Sequence, residues 1–286
     1  IEGRQRSRAY VAQVVRALLE RLAAWWREYK SLLKNDAREF WRRLSLRRWE
    51  PTDLLIVAGI TLAAALIRLA NLNIPMVHDE AYTYNAFASR SLWVTLSDYH
   101  LPNNHVLLTV CVNILVHLFG NHLWLMRLTP FLAGVTMAPV TYVLGRRFYS
   151  REAGMLAAAL VAVFPPLVEY SALARGYVPM CLGTLLILIL GDHVRGTKDR
   201  FAWLTLAVVS ALGFFTIPIM FFSFGSLYLL LFVSWLIGDV KGYESKFDFF
   251  KYWLVSGVLT MALTGFLYLP ILVNNFGNLR PVHFAL

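Results

Sequence analysis

Long apolar runs dominate this chain from Leu54 onward. Runs of this kind are typical of helices that cross a lipid bilayer, for which about 20 apolar residues are needed. Only 15% of all residues are charged, whereas soluble domains usually carry about 25%. The sequence therefore predicts an all-α, polytopic integral membrane protein. The eight apolar stretches are Leu54–Leu72, Val106–Gly120, Leu123–Leu144, Ala153–Val168, Val178–Gly191, Phe201–Ile217, Met220–Ile237 and Tyr252–Leu272.

The positions of Arg and Lys predict which stretches cross the membrane. If all eight crossed, the arginines at 146–151 would lie outside, against the preference of basic residues for cytoplasmic loops. If Val106–Gly120 lies on the outer surface instead, that loop and the basic loops at 195–200 and 241–251 all fall inside. We therefore expect seven transmembrane helices within residues 51–286, with a cytoplasmic N-terminus.

This topology predicts two outer loops between the early spans. The first covers residues 73–122 and contains interfacial helices, and the second covers Glu169–Tyr177. The C-terminal segment from Asn274 to Pro281 would lie outside as well. Few arginines remain in outer loops, and they are Arg90, Arg175 and Arg280.

The N-terminal segment is strongly basic, because the first 50 residues hold 13 of the 27 Lys and Arg residues. Apolar residues recur there at three- and four-residue steps, which predicts a basic amphipathic helix over residues 1–50. We expect this helix to break near Asn35-Asp36 and to bind an anionic membrane surface, not nucleic acid. A coiled-coil partner helix is the alternative. Residues Ile1–Arg4 match a protease site common in expression linkers, so the fold prediction leaves them out.

An acidic pair in the first outer loop is the leading catalytic candidate. Asp79 and Glu80 follow the first span by a few residues, at the outer rim of the bilayer, where ionisable groups are often functional. The alternative is that Asp79 only caps a helix over Glu80–Leu92. A divalent metal ion stays open as a cofactor, since His78 and His105 also carry ligand atoms, although no spacing demands one.

Two further segments offer groups that bind anions. Asn104 and His105 precede an apolar stretch, where they either donate to an anionic ligand or cap the helix. Arg175 is alone between two spans, and its guanidinium suits a phosphate because it binds two oxygens at once. The alternatives are that Arg175 reaches up to lipid headgroups or pairs with Glu169.

Five short motifs occur in a fixed order between residues 56 and 179. They are Asp79-Glu80-Ala81 with Tyr82, Pro102-Asn103-Asn104-His105, Trp124–Pro130, Gly145–Tyr149 and Ala174–Tyr177. Their order and spacing resemble the GT-C glycosyltransferases, most closely the branch of protein O-mannosyltransferases and aminoarabinose transferases. The basic segment before Leu54 is not part of this resemblance.

The resemblance implies a hexosyl- or pentosyltransferase that uses a polyprenyl-phosphate sugar donor and inverts the anomeric centre. It places the reaction on the outer face of the membrane, which we expect to be a bacterial plasma (inner) membrane. Asp79 would act as the base or as the carboxylate that orients the acceptor, Glu80 as an acceptor or metal contact, and Arg175 as the ligand of the lipid phosphate. Other substrate-binding candidates are His105, Asn104, His78, Tyr82 and Glu169.

The chain departs from the family in two respects. Several relatives carry a second acidic residue after the Ala-Arg segment, where this chain has Val178-Pro179-Met180. Relatives also have further spans and a soluble acceptor-binding domain. We therefore expect an N-terminal membrane module that a C-terminal domain or a separate subunit completes.

Two other functions remain open from the sequence. One is a non-catalytic protein that binds or presents a lipid-linked sugar, and the other is a transporter. The low number of charges inside the spans argues against a transporter. Arg68 is the main exception, and its place near the outer end of the first span predicts a side chain that extends to the interface.

Overall fold

The computed structural model describes residues 2–44 and 49–277, and within these ranges it contains helices and no strand. The predicted all-α class is therefore confirmed. A π-helical turn, Tyr84–Ala88, follows α3. The α-helices are α1 (Glu2–Leu44), α2 (Pro51–Asn71), α3 (His78–Thr83), α4 (Leu92–Ser97), α5 (Val106–Phe119), α6 (Leu123–Met126), α7 (Leu128–Phe148), α8 (Arg151–Val163), α9 (Pro165–Ser171), α10 (Tyr177–Gly196), α11 (Arg200–Thr216), α12 (Met220–Ile237) and α13 (Lys246–Gly277).

Five of the described helices, α2, α7, α10, α12 and α13, are long and apolar enough to cross a membrane. The helices α8 and α9 form a sixth such span if they are taken together, although they meet at an angle of 56°. An integral membrane protein is therefore confirmed. The predicted number of seven spans stays a prediction, because α11 has only 17 residues.

Ion pairs gather the predicted cytoplasmic loops at one end of the helix bundle. The fully buried Asp53, in the first turn of α2, accepts hydrogen bonds from Tyr142 at 2.7 Å and Arg146 at 3.0 Å and also pairs with Arg151. Further pairs join the next loops, and they are Arg147–Asp192, Arg195–Asp239 and Lys198–Asp248. We call this end of the bundle the basic end. The opposite end carries the candidate residues Asp79 and Arg175, and we call it the site end. The prediction that these loops lie in the cytoplasm remains to be tested.

The amphipathic helix α1 is continuous, so the predicted break at Asn35-Asp36 is wrong. Asp36 stays helical because its carboxylate has a partner at the start of α11: it accepts from the backbone N–H and the side chain of Arg200, both at 3.0 Å. A carboxylate at a helix N-terminus also interacts favourably with the helix dipole. Four residues later, the buried Phe40 packs on Phe201, with ring centroids 5.5 Å apart. The C-terminal third of α1 is thereby attached to the bundle.

The connection between α2 and α7 forms a compact cap at the site end. Helix α5 lies within it and buries Val106, Leu108 and Val112 against its neighbours. From α5, the Asn113 side chain donates to the carbonyls of Ala88 and Arg90, at 2.9 and 2.8 Å. These two bonds hold the chain that leaves the π-helical turn, and they fix α3 relative to α5. The C-terminal segment beyond residue 277, including Arg280, lies outside the described residues.

Candidate functional site

Helix α3 begins at His78, and Val77 is its N-cap residue. Glu80 is the third residue of the helix, and its carboxylate accepts the backbone N–H of Val77 at 3.1 Å. This is the backward bond of a capping box. The alternative that Asp79 caps a helix beginning at Glu80 is therefore wrong, because the helix begins two residues earlier than that alternative requires.

Glu80 forms a buried, two-point ion pair with Arg127, which lies directly before α7. The side chains are 1% and 0% exposed, and Arg127 Nε and Nη2 lie 2.9 and 2.6 Å from the two carboxylate oxygens. Arg127 also donates to the carbonyls of Leu72 and Ile74, at 2.7 and 2.8 Å. The guanidinium therefore connects the end of α2, the start of α3 and the start of α7.

Glu80 also joins the two predicted outer loops. Its Oε1 atom accepts the backbone N–H of Ala174 at 2.6 Å, across 94 residues of sequence. Each carboxylate oxygen thus accepts two hydrogen bonds, from Arg127 and from one backbone N–H. The geometry gives Glu80 a positioning role and leaves it no free oxygen for an acceptor or a metal. Arg127 was not a site candidate from the sequence, although it lies within the Trp124–Pro130 motif.

Asp79 lies in a very different environment from its neighbour. Its side chain is 59% exposed, and Nη2 of Arg175 lies 3.7 Å from Oδ2. The imidazole of His78 is 3.7 Å away on the other oxygen. Both distances exceed those of good hydrogen bonds. The carboxylate therefore faces solvent beside a cation and is free to contact a substrate.

Arg175 is buried and held from several sides. Its Nη1 atom donates to the Thr83 hydroxyl and to the Asn103 carbonyl, each at 3.3 Å. Its guanidinium carbon lies 5.6 Å from the centre of the Tyr177 ring, a cation–π contact. The alternative pairing with Glu169 is wrong, since Arg175 pairs with Asp79 instead, and the alternative of headgroup contact is untested. Glu169 itself lies exposed at the end of α9.

His105 approaches the same loop from the start of α5. It is 5% exposed, and its Nδ1 accepts the backbone N–H of Gly176 at 2.8 Å. Gly176 leaves room for this contact, because a Cβ there would lie 3.0 Å from Cβ of His105. Burial, with a smaller effect of the Arg175 charge, lowers the pKa of His105 to about 3, although Asp79 opposes the shift. His105 is therefore a neutral residue that positions the loop, and its Nε2–H is a neutral donor.

The depressed pKa of His105 predicts acid sensitivity. The unfolded chain binds a proton below pH 6.5, whereas the folded chain resists it down to about pH 3. The contribution of His105 to the free energy of unfolding is therefore fully present above pH 6.5. Below that pH the free energy of unfolding falls by about 1.4 kcal/mol per pH unit for one proton. We expect His105→Gln, whose amide oxygen accepts the same N–H, to flatten the melting temperature between pH 6.5 and 4 relative to wild type. An unchanged pH slope would contradict this assignment.

The Asn104 side chain is buried within the cap and makes its hydrogen bonds there. It is 1% exposed, and its amide donates to the carbonyls of Asp98 and Thr95 at 2.8 and 3.4 Å. Its Oδ1 atom is buried without a hydrogen-bond partner among the described residues. These contacts hold the segment between α4 and α5 against the start of α5. The predicted contact of Asn104 with substrate stays a prediction that this geometry does not favour.

His78 and Tyr82 line a separate open cleft of about 450 Å³. The Tyr82 hydroxyl lies 2.9 Å from Nε2 of His100, and Nδ1 of His100 lies 2.5 Å from Asp98. Asp79 and Thr83 border Arg175 instead. His78 and Tyr82 therefore lie on one side of α3 and Asp79 and Thr83 on another, since residues four apart share a helix face. The other cleft residues are Ala81, Asn85, Ala86 and Arg90.

A bound metal has little support from the side chains at this site. Among the described residues, no three His, Cys, Asp or Glu side chains lie close enough together to hold an ion. At the centre of the site, Asp79 has His78 as its nearest potential co-ligand, while the guanidinium of Arg175 competes for the same carboxylate. The residues therefore do not form a metal site on their own, and metal dependence stays untested.

Comparison with known proteins gives one match. A family model described as dolichyl-phosphate-mannose-protein mannosyltransferase matches residues 106–268, more than half of the chain. The matched segment contains Arg127 and Arg175 and begins after Asp79 and Glu80. No curated protein and no solved structure matches the chain.

Proposed function

Because this chain belongs to the dolichyl-phosphate-mannose-protein mannosyltransferase family, we propose that it transfers a sugar from a polyprenyl-phosphate donor to an acceptor. The proposed reaction site is formed by Asp79 and Arg175. Family membership implies a glycosyltransferase with a lipid-linked donor, and the apolar helices supply the membrane setting. The observation that carries the proposal is the exposed Asp79 carboxylate, 3.7 Å from a buried guanidinium.

The proposed reaction is a single inverting displacement. The acceptor hydroxyl gives its proton to Asp79 as its oxygen forms a bond to the anomeric carbon, and the bond from that carbon to the phosphate oxygen breaks. The polyprenyl phosphate leaves with the bonding electrons, and Arg175 stabilises its growing negative charge. Protonation of Asp79 removes the anion that Arg175 faces in the free enzyme. The guanidinium charge is then directed to the leaving phosphate at the moment when it forms.

The proposed site faces the outer side of a bacterial plasma membrane. The basic end carries the ion-paired loops and the C-terminal third of α1, and basic loops favour the cytoplasm. The site end would then face outward, where nucleotide sugars are absent and a lipid-linked donor is required. A C-terminal acceptor-binding domain or a separate subunit remains part of this proposal.

A second candidate is a protein that binds and presents the lipid-linked sugar without transferring it. This function is favoured by the bonding of Glu80, which leaves Asp79 as the exposed carboxylate of the adjacent pair. The two candidates share the lipid phosphate at Arg175 and differ only in the role of Asp79. Donor binding therefore tests what they have in common, and turnover separates them.

Arg175→Met tests the phosphate contact in the purified full chain, reconstituted in nanodiscs. We expect the Kd for an added polyprenyl phosphate to rise by about 10- to 100-fold, since hydrogen bonds to charged groups contribute about 1.5–3 kcal/mol. Arg195→Met, at the basic end, removes an equal charge and is the matched control. An unchanged Kd for Arg175→Met, with a melting temperature near that of wild type, would show that the lipid phosphate binds elsewhere.

A further inference from the structure

Arg68 is a charged residue inside the first span and is completely buried. The prediction that it extends to the interface is therefore wrong: the guanidinium points into the bundle, toward the junction of α8 and α9. Within the described part of the chain, its hydrogen bonds all end on neutral oxygens: the carbonyls of Ala64, Val161 and Ala162 and the Ser171 hydroxyl. A charge in this position is costly in a membrane protein, so the contacts that retain it call for an explanation.

The junction of α8 and α9 lacks two backbone donors. In an uninterrupted helix, the N–H groups of residues 165 and 166 would bond to the carbonyls of Val161 and Ala162. Both positions are proline, which has no N–H. The helix breaks at Phe164, where ψ is 116°, and α9 continues at 56° to α8. If this bent pair crosses the bilayer, two carbonyls left without partners would cost several kcal/mol each.

Arg68 reaches these same two carbonyls. Its Nη1 atom lies 2.8 Å from the oxygen of Ala162, and Nη2 lies 3.2 Å from the oxygen of Val161. The positive charge is also favourable at the C-terminal end of α8, where the helix dipole is negative. The side chain therefore supplies both the donors that the two prolines remove and a charge that suits a helix end.

The surrounding residues make room for this arrangement. Gly134 of α7 packs directly on the guanidinium, because a Cβ there would lie only 2.7 Å from Nε of Arg68. The Ser171 hydroxyl accepts from Nε at 3.1 Å and donates to the Leu167 carbonyl within α9. Arg68 thereby contacts both sides of the bend, the end of α8 and the end of α9.

The bend determines where the next loop begins. Helix α9 ends at Ser171, and within three residues the chain reaches Ala174, whose N–H binds Glu80. The next residue is Arg175, beside Asp79. We propose that Arg68 replaces the two backbone hydrogen bonds that Pro165 and Pro166 remove, and that it thereby fixes the bend that positions Arg175. Arg68 is in this sense a positioning residue, and its effect on donor binding rests on the function proposed above.

A double-mutant cycle on stability tests the first half of the proposal. The melting temperature of the full chain in nanodiscs is measured for wild type, Arg68→Met, Pro165→Ala/Pro166→Ala and the triple variant. Alanine restores both N–H groups, so we expect Arg68→Met to cost less than half as many degrees in the alanine background. Folding of Arg68→Met only in that background would also support the proposal. Equal losses in both backgrounds, or failure to fold in both, would overturn it.

Donor affinity tests the second half and reports on more than stability. We expect Arg68→Met to weaken polyprenyl phosphate binding at least tenfold in wild type and to have no further effect in Arg175→Met. Arg195→Met is the control, since it removes an equal charge at the basic end, away from the bend, and should change affinity less than twofold. Wild-type affinity in Arg68→Met would overturn the positioning role. If wild type itself binds no polyprenyl phosphate, the proposed function fails, while the stability cycle still decides the role of Arg68.

Discussion

Replacing Asp79 by Asn is expected to lower sugar transfer by about 10²- to 10⁴-fold, the usual contribution of a general base, while the protein stays folded. Asparagine has nearly the same shape, and among the described residues the charged neighbours of the Asp79 side chain lie no closer than 3.7 Å. Its 59% exposure means that few packing interactions depend on it. The amide cannot accept the acceptor proton, so the loss should appear in turnover and not in the melting temperature.

Donor binding should respond in the opposite direction. The Asp79 carboxylate lies 3.7 Å from the guanidinium of Arg175, so it would compete with the proposed donor phosphate, and a neutral amide would end this competition. We therefore expect Asp79→Asn to bind a polyprenyl phosphate at least as tightly as wild type. The measurement combines equilibrium binding with release or transfer of label from radiolabelled polyprenyl-phosphate sugars, in detergent or nanodiscs.

Glu244→Gln is the matched control, because it makes the same acid-to-amide change on a side chain that is 85% exposed at the basic end. Its turnover should equal that of wild type. Full turnover in Asp79→Asn would place the base elsewhere. Donor binding without turnover in both wild type and Asp79→Asn would instead favour the presenting function, or an acceptor site supplied by another domain or subunit.

Breaking the Glu80–Arg127 pair is expected to destabilise the protein by about 3–5 kcal/mol, the cost of leaving one buried charge without its partner. Arg127→Met leaves the Glu80 carboxylate buried and removes the donors to the carbonyls of Leu72 and Ile74. Glu80→Gln replaces an acceptor oxygen by an NH₂ group that cannot accept from either Arg127 or a backbone N–H. Thermal unfolding of both variants, followed by tryptophan fluorescence, measures the effect.

The double variant Glu80→Gln/Arg127→Met distinguishes a charge effect from a loss of packing. Neither residue is charged in it, so we expect its destabilisation to be clearly smaller than the sum of the two single losses. Additive losses would mean that the pair contributes mainly through its separate backbone contacts. The two adjacent carboxylates should therefore differ: Asp79→Asn should lower turnover, whereas Glu80→Gln should lower stability.

The sequence by itself determined the class of the protein. A segment that crosses lipid must satisfy its backbone hydrogen bonds internally, so a long apolar run with few charges is already a helix prediction. This local rule predicted the apolar helices, the short motifs pointed to a glycosyltransferase family, and Asp79 entered as a candidate that is still untested. The break expected in α1 was wrong for a tertiary reason: Asp36 is bonded to Arg200, which is 164 residues away.

Only the tertiary structure decided what each polar residue does. Asp79 and Glu80 are equivalent as sequence signals, yet successive residues on a helix point about 100° apart. One carboxylate therefore turns to solvent beside Arg175, and the other turns inward to partners 47 and 94 residues away. Arg68 follows the same principle, because the carbonyls that it satisfies lie 93 and 94 residues along the chain. Apolar burial can be predicted from local sequence composition. A buried charge is explained only by the distant groups that the fold places beside it.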